Sequence, residues 1–406
     1  MANVKPFQPY RYSAKAGDPA KLITQPYDKI NPQMQARYLA ASPYNLVRVI
    51  LGEKRDSDTT TDNVYTRAAH YFEEWIQQGI LAQDPVPGFY AYFQDFEVPD
   101  TGERLTRKGF IGLGKVEDYS AGIVYRHEQT LSGPKKDRLE VLRHTRAHFG
   151  QIFMLYPDRE GAVDGELDQS AQGTPLMDVT DEYGARHRLW AVTETARIQT
   201  LMQPMKLLIA DGHHRYETAL NYRNEHPDDP AAQYVMMTFV NMYSPGLKIL
   251  ATHRVLRNLQ GLDVLSKVTD DWSVKTFASV TELKRKLQSP APQTVRIGVV
   301  TSTEAFLLVR PRKDGELDVP VLHQEILGRW LGIGEDAVRE EKYIQYVRGM
   351  DAAVAEVRER GAQIAFLLDP TPIDDMARVA FEGGVMPQKS TDFYPKLLTG
   401  VTIYRL

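Results

Sequence analysis

The chain has 406 residues, 42% of them hydrophobic and 25% charged, with a formal net charge of −4. That balance describes an ordinary globular protein with room for two or three domains, and its mild acidity argues against broad electrostatic binding of nucleic acid. It contains no cysteine, which excludes disulfides, thiolate zinc sites, iron–sulfur clusters and cysteine nucleophiles.

Read from the start, residues 6–28 are rich in Pro and Tyr and should form extended segments broken by turns. Val64, Ala68, Tyr71, Phe72, Trp75 and Ile76 recur at helical spacing and predict an amphipathic helix over 62–78. Residues 89–98 and 107–116 read as a hairpin around Asp100, Thr101 and Gly102. Leu139, Leu142 and Phe149 set a helix over 136–149, and the polar stretch 158–175 reads as a surface loop. Strands follow at 189–192, 207–210 and 234–242, with a helix over 213–222. Beyond about 260 helices and strands alternate, with strands at 295–301, 306–309 and 364–368 and helices at 322–331 and 351–360. The expected class is α/β in a mixed α+β arrangement: a body at 1–258 and a C-terminal α/β part at 259–406, with a closing loop at 386–396. No apolar run reaches the roughly 18 residues that cross a bilayer, and Met1 to Pro6 lacks the apolar core of a signal peptide. A cytoplasmic protein is expected, with neither membrane nor nucleic acid as partner.

Asp211-Gly212-His213-His214-Arg215 holds the densest chemistry. The apolar run before it reads as a buried strand that turns sharply into a helix. The first N–H groups of such a helix lack internal partners, and the dipole adds partial positive charge there, so the turn suits a phosphate. Gly212 permits close approach to the backbone, Arg215 can grip two oxygens, and His213 and His214 can donate hydrogen bonds or move protons. A capped helix with a surface His pair is the purely structural alternative.

A second cluster is Tyr125-Arg126-His127-Glu128, then Thr130, then Gly133-Pro134-Lys135-Lys136-Asp137-Arg138. Lys135, Lys136 and Arg138 at a helix start oppose its dipole unless an anion is drawn in. His127 and Glu128 beside them could position a nucleophile and accept its proton; surface or core pairing is the alternative. In Gln25-Pro26-Tyr27-Asp28 the proline presets the backbone, which suits a held carboxylate at Asp28, while Asn45 in Ser42-Pro43-Tyr44-Asn45 reads as a turn cap. Thr252-His253-Arg254 adds a further histidine, but no His-x3-His spacing occurs, so no metal site is assigned and no stoichiometric zinc or iron is expected. Lys389 in Pro387-Gln388-Lys389-Ser390-Thr391, together with Lys396, could close over a phosphorylated ligand.

Gly212, His213, His214, Arg215, Tyr216 and Ala219 resemble the signature of the ParB/sulfiredoxin-like superfamily, whose members cradle nucleotide phosphates at this helix start. The closest version is that of the free-serine kinase type. Sulfiredoxin carries a catalytic cysteine where this chain has His213, so its redox chemistry is not implied. Across nearly the whole length, the segments at Gln25, Ser42, Arg126, Gly133, Asp211, Thr252 and Pro387 resemble one family, domain of unknown function 1015. The resemblance implies a ParB/sulfiredoxin-like N-terminal and central body. It also implies phosphoryl transfer from a nucleotide, ATP or ADP, to a small hydroxyl substrate such as free serine. In that reading Asp211, Gly212, His213, His214, Arg215, Lys135, Lys136, Arg138 and Lys389 bind phosphate. Asp28, His127, Glu128, His213 and His214 are the catalytic candidates, with Asp28 or Glu128 as base. Mg²⁺ is expected from the chemistry alone. A hydrolase of a phosphorylated amino acid and a nucleotide-gated ParB-like binding module are the alternatives; the latter would call for a basic helix-turn-helix region that the sequence lacks.

Overall fold

A computed structural model describes residues 1–99, 101–128, 132–260 and 263–406. Asp100 and Thr130, named above, lie outside the described residues, as do the side chains of Gly133 and Pro134. The architecture is mixed α/β, in two compact units: Met1–Arg126, Thr130–Leu247 and Pro395–Leu406 form the first, His127–Gln129 and Lys248–Tyr394 the second.

The first unit is built on a nine-stranded sheet. Its strands are β1 (Val4–Lys5), β2 (Phe89–Glu97), β3 (Arg104–Lys115), β4 (Val124–Tyr125), β5 (Ile152–Tyr156), β6 (Met177–Thr180), β7 (Arg186–Val192), β8 (Leu207–Asp211) and β9 (Tyr234–Asn241). Their order is β4-β8-β5-β9-β3-β2-β7-β6, with β1 added on β3. β8 runs parallel to β4 and antiparallel to β5, and β5 runs parallel to β9. Strands β5, β8 and β9 read as near-continuous apolar runs because both their faces are covered. Phe110 and Phe239, wholly buried, stack at 4.9 Å between ring centroids, and each such side chain contributes about 1.5–3 kcal/mol by leaving water.

Helix α1 (Val64–Gln77) starts where the sequence says it should, because Asn63 and Thr66 form a reciprocal capping box. It buries Ala68, Phe72 and Trp75. Helix α2 (Ser132–Thr145) ends before Phe149: Ala147–His148 instead pair antiparallel with Tyr404–Arg405, so strand pairing overrides the helical spacing there. The stretch expected as a loop at 158–175 contains a helix, Ala162–Ser170. Asp158 accepts the backbone N–H groups of Gly161 and Val163 at its entrance, and Val163 and Leu167 bury one turn apart. Helix α3 (His213–Glu225) follows β8 directly.

The second unit has a six-stranded antiparallel sheet, ordered Ser273–Thr276, Ala305–Pro311, Thr294–Thr301, Ile364–Leu367, Thr252–Leu256 and Ile344–Arg348. Helices Val280–Gln288 and Met350–Arg358 bury Leu283, Leu287, Ala353 and Val357 against it. Residues Leu322–Trp330, expected as an ordinary helix, wind as a π-helix. Among the described residues no helix is long and apolar enough to cross a membrane.

Candidate functional site

Strand β8 enters the sheet through Leu207, Leu208 and Ile209, all essentially inaccessible to solvent. Its pairing with β5 slips after Ile209, so that Asp211 rather than Ala210 lies opposite Phe153. Such a bulge re-aims the side chain that follows it. Gly212 then takes φ +94° and starts α3 with no side-chain cap on the helix.

One carboxylate stands among several cations here. Lys396 Nζ donates to Asp211 Oδ2 at 2.8 Å, and Arg215 Nη2 lies 3.7 Å from Oδ1. Burial alone would raise the Asp211 carboxyl, but Lys396, Arg215 and Lys29 outweigh it and hold the group well below the usual carboxylate range. Asp211 in turn acts on Arg107, whose guanidinium burial pushes down to about 9 while Tyr92 and Asp211 pull it back up. The cations that hold Asp211 ionised give the turn a positive field.

Arg215 does more than face outward. Its Nη1 donates to the Gln151 carbonyl, and its guanidinium covers Gly212 so closely that a Cβ there would sit 3.0–3.1 Å from Nη2, Cζ and Nε. Gly212→Ala should therefore cost about 1–2 kcal/mol from the left-handed backbone alone and also displace Arg215. An unchanged urea midpoint for that variant would contradict this account.

His213 is buried and His214 half-buried on the first turn of α3. One turn on, buried Glu217 accepts from Lys135 Nζ and lies 3.5 Å from Arg126 Nη1, while the Arg126 guanidinium sits 4.8 Å over the Tyr119 ring. The three cations of the 135–138 segment thus part ways. Lys135 is tied to Glu217, Lys136 is exposed, and Arg138 binds Asp137 and the Ile50 carbonyl while stacking 4.2 Å over Tyr27. Tyr27, Arg138, His148, Phe149 and Arg215 line a cleft of about 70 Å³. Burial pushes His148 down to about 4, so the imidazole is neutral at pH 7. Asp28 is exposed on the Tyr27–Lys29 turn, and its charge and that of Arg215 both act on the Tyr27 hydroxyl.

The remaining candidates lie in the second unit. His127 is fully buried, with Nε2 2.8 Å from Thr391 Oγ1 and its carbonyl accepting from Met386 N–H at 2.7 Å. Glu128 bridges Met386 and acts electrostatically on Arg254. Arg254, wholly buried, donates from Nη2 to the Lys389 carbonyl at 3.1 Å and from Nε to His323 Nε2 at 3.2 Å. The segments around His127, Thr252 and Pro387, far apart in sequence, therefore meet in one cluster. Sequence reading missed Glu217, Gln94 and Arg107, which are polar side chains inside strongly buried elements, and it missed that Lys396 pairs with Asp211. Asn45 is the turn cap expected: its Oδ1 accepts Val47 N–H at 2.9 Å.

No curated protein matches the sequence. Solved structures are similar to it at low identity. A conserved hypothetical protein from Pyrococcus furiosus is 13% identical, with 67% of this chain and 87% of that chain covered and a TM-score of 0.35. A free serine kinase in complex with AMP is 10% identical, covering 67% of this chain and 83% of that chain at a TM-score of 0.38. SbnI with a C-terminal truncation, from Staphylococcus aureus, is 10% identical over 71% of this chain and 85% of that chain, again at 0.38. Over residues 4–347 the sequence matches the family described as "Protein of unknown function (DUF1015)".

Proposed function

The chain belongs to the DUF1015 family, and we propose that within it this protein is a phosphotransferase. It holds a nucleotide by its phosphates at the Asp211–Arg215 turn and passes a phosphoryl group to a small hydroxyl substrate, free serine or a relative. The observation that carries this reading is the carboxylate of Asp211 held ionised by Lys396, Arg215 and Lys29 at the start of α3, which has no side-chain cap. Phosphoryl transfer asks a protein chiefly for positioning and neutralisation of charge, which such a turn supplies.

In this reading Arg215 and the backbone after Gly212 hold phosphate oxygens. His213 and His214, on the first turn, offset charge that develops in the transition state. Lys136 and Arg138 steer a second anionic group, and Lys135 acts through its ion pair with Glu217. The acceptor hydroxyl attacks the terminal phosphorus, its proton passes to the carboxylate of Asp28, and the bridging P–O bond breaks to release the shortened nucleotide. Asp28, exposed beside the cleft-lining Tyr27, can meet a substrate without rearrangement. Among the described residues no group of three His, Asp or Glu side chains is placed to hold a metal, and Asp211 is already occupied by Lys396. The residues at the turn therefore form no magnesium cage of their own.

Incubation with ATP or ADP, Mg²⁺ and serine should yield phosphoserine in the phosphorus NMR spectrum. Asp28→Asn should lose turnover by about 10²-fold or more while still binding nucleotide. Phosphate released from phosphoserine without any transfer from nucleotide would make the protein a hydrolase. Tight nucleotide binding with neither reaction would make it a binding module.

A further inference from the structure

A buried polar chain behind the turn takes no part in the scheme above. Asp181, 3% exposed at its side chain, accepts Tyr183 and Ala185 backbone N–H groups through Oδ1. Its Oδ2 lies 3.2 Å from His187 Nε2. An ionised carboxylate only accepts, so the proton of this imidazole sits on Nε2 and Nδ1 is a bare acceptor. Nδ1 faces the Tyr92 hydroxyl at 2.7 Å and Gln94 Nε2 at 3.3 Å. That fixes the Gln94 amide with its NH2 toward His187 and its oxygen away. The oxygen accepts from Arg107 Nε at 2.9 Å and from Nη2 at 2.5 Å. Tyr92, Gln94, Arg107 and His187 are each no more than 2% exposed.

Two successive backbone carbonyls end the chain. Gln94 Nε2 donates to the Lys396 carbonyl at 2.9 Å, and Arg107 Nη2 donates to the Pro395 carbonyl at 2.5 Å. The segment that delivers Lys396 to Asp211 is thus held by its backbone, from polar side chains on β2, β3 and β7. Gripping two adjacent carbonyls from fixed strands sets the direction in which the following side chain leaves.

We propose that Gln94, oriented by the Asp181–His187 pair and by Arg107, is the positioning residue of Lys396 and sets where its ammonium sits over the Asp211–Gly212 turn. The ligand this serves is the phosphate of the proposed function, and to that extent the inference rests on it.

Gln94→Glu separates the roles. It keeps an acceptor for Arg107 but has no N–H for the Lys396 carbonyl or for His187. Trace acylation with acetic anhydride, read residue by residue by mass spectrometry, compares Lys396 with exposed Lys275 as internal reference. An ammonium held in an ion pair acylates slowly, so the Lys396-to-Lys275 ratio should rise about 10-fold in Gln94→Glu, the scale of one lost hydrogen bond. Inorganic pyrophosphate should protect Lys396 in the wild-type chain. His187→Phe, which keeps a ring but removes the nitrogen facing Gln94 and leaves Arg107 and Lys396 intact, should raise the ratio in the same direction and serves if Gln94→Glu does not fold. A folded variant with a lower melting temperature but an unchanged ratio overturns the proposal, since packing alone would then explain the network. A raised ratio in a chain that binds no pyrophosphate or nucleotide upholds the positioning and removes the phosphate reading instead.

Discussion

Acidification from pH 7 to pH 5 should cost the wild-type protein about 2 kcal/mol more folding free energy than it costs His253→Asn. His253 is 1% exposed, and its Nδ1 accepts the Leu368 backbone N–H at 3.2 Å, which only the unprotonated ring can do. Burial, then the charges of Arg254 and Lys284, push it down to about 3. The folded value lies below the unfolded one near 6.5, so the unfolded chain gains a proton first as pH falls. Stability is therefore complete above about 6.5 and is lost progressively toward the folded value. Half-buried His323, accepting from Arg254 and also pushed down to about 3 by burial, acts the same way over the same interval. Asp318, pushed up to about 6 by burial, shifts stability in the opposite sense over the same interval. The informative quantity is for that reason the difference between wild type and variant in urea unfolding at the two pH values. Asn can still accept the Leu368 N–H but does not titrate, so equal slopes for both proteins would refute the assignment.

Arg215→Ala should weaken a phosphorylated ligand by about 2–3 kcal/mol, the loss of one charged, hydrogen-bonding partner. Calorimetric titration with pyrophosphate or ATP measures it, and unchanged affinity would end the reading of the turn as a phosphate cradle. The structure adds that Arg215 also binds the Gln151 carbonyl and lies against Gly212, so some folding stability should go with it. Arg215→Lys keeps the charge but not the planar fork, and should restore only part of the affinity. Comparing thermal melts with and without ligand keeps the two losses apart.

Much of this was legible before any coordinates. The strand, the break at Gly212 and the helix after it are written in an apolar run, a glycine and a helical stretch, and each is a local signal. The helical spacing of Val64, Ala68, Phe72 and Trp75 announces α1 for the same reason. The illegible parts depend on distant pairing. Residues 147–148 leave the helical pattern because Tyr404 and Arg405 pair with them, and nothing in residues 136–149 foretells that. Lys396 stands in a polar loop that gives no hint of Asp211, 185 positions away. Gln94 and Arg107 look like outward polar positions in alternating strands, and only the return of residues 395–398 over that face explains their burial. The cationic run at 135–138 misleads in the other direction: three charges adjacent in sequence go to Glu217, to solvent and to Asp137.

The interruption of the first unit by residues 248–394 has a consequence for its biosynthesis. As the chain leaves the ribosome, β8 and the Asp211 turn emerge with the rest of the sheet, but Lys396 follows only after the whole second unit has been made. Until then Asp211 lacks its nearest cation, and Gln94 and Arg107 lack the two carbonyls they grip. A nascent chain at that stage carries buried-to-be polar groups without their final partners, a state that favours delay and capture by chaperones. Synthesis of the second unit thus sets the earliest moment at which the turn can assume its finished charge.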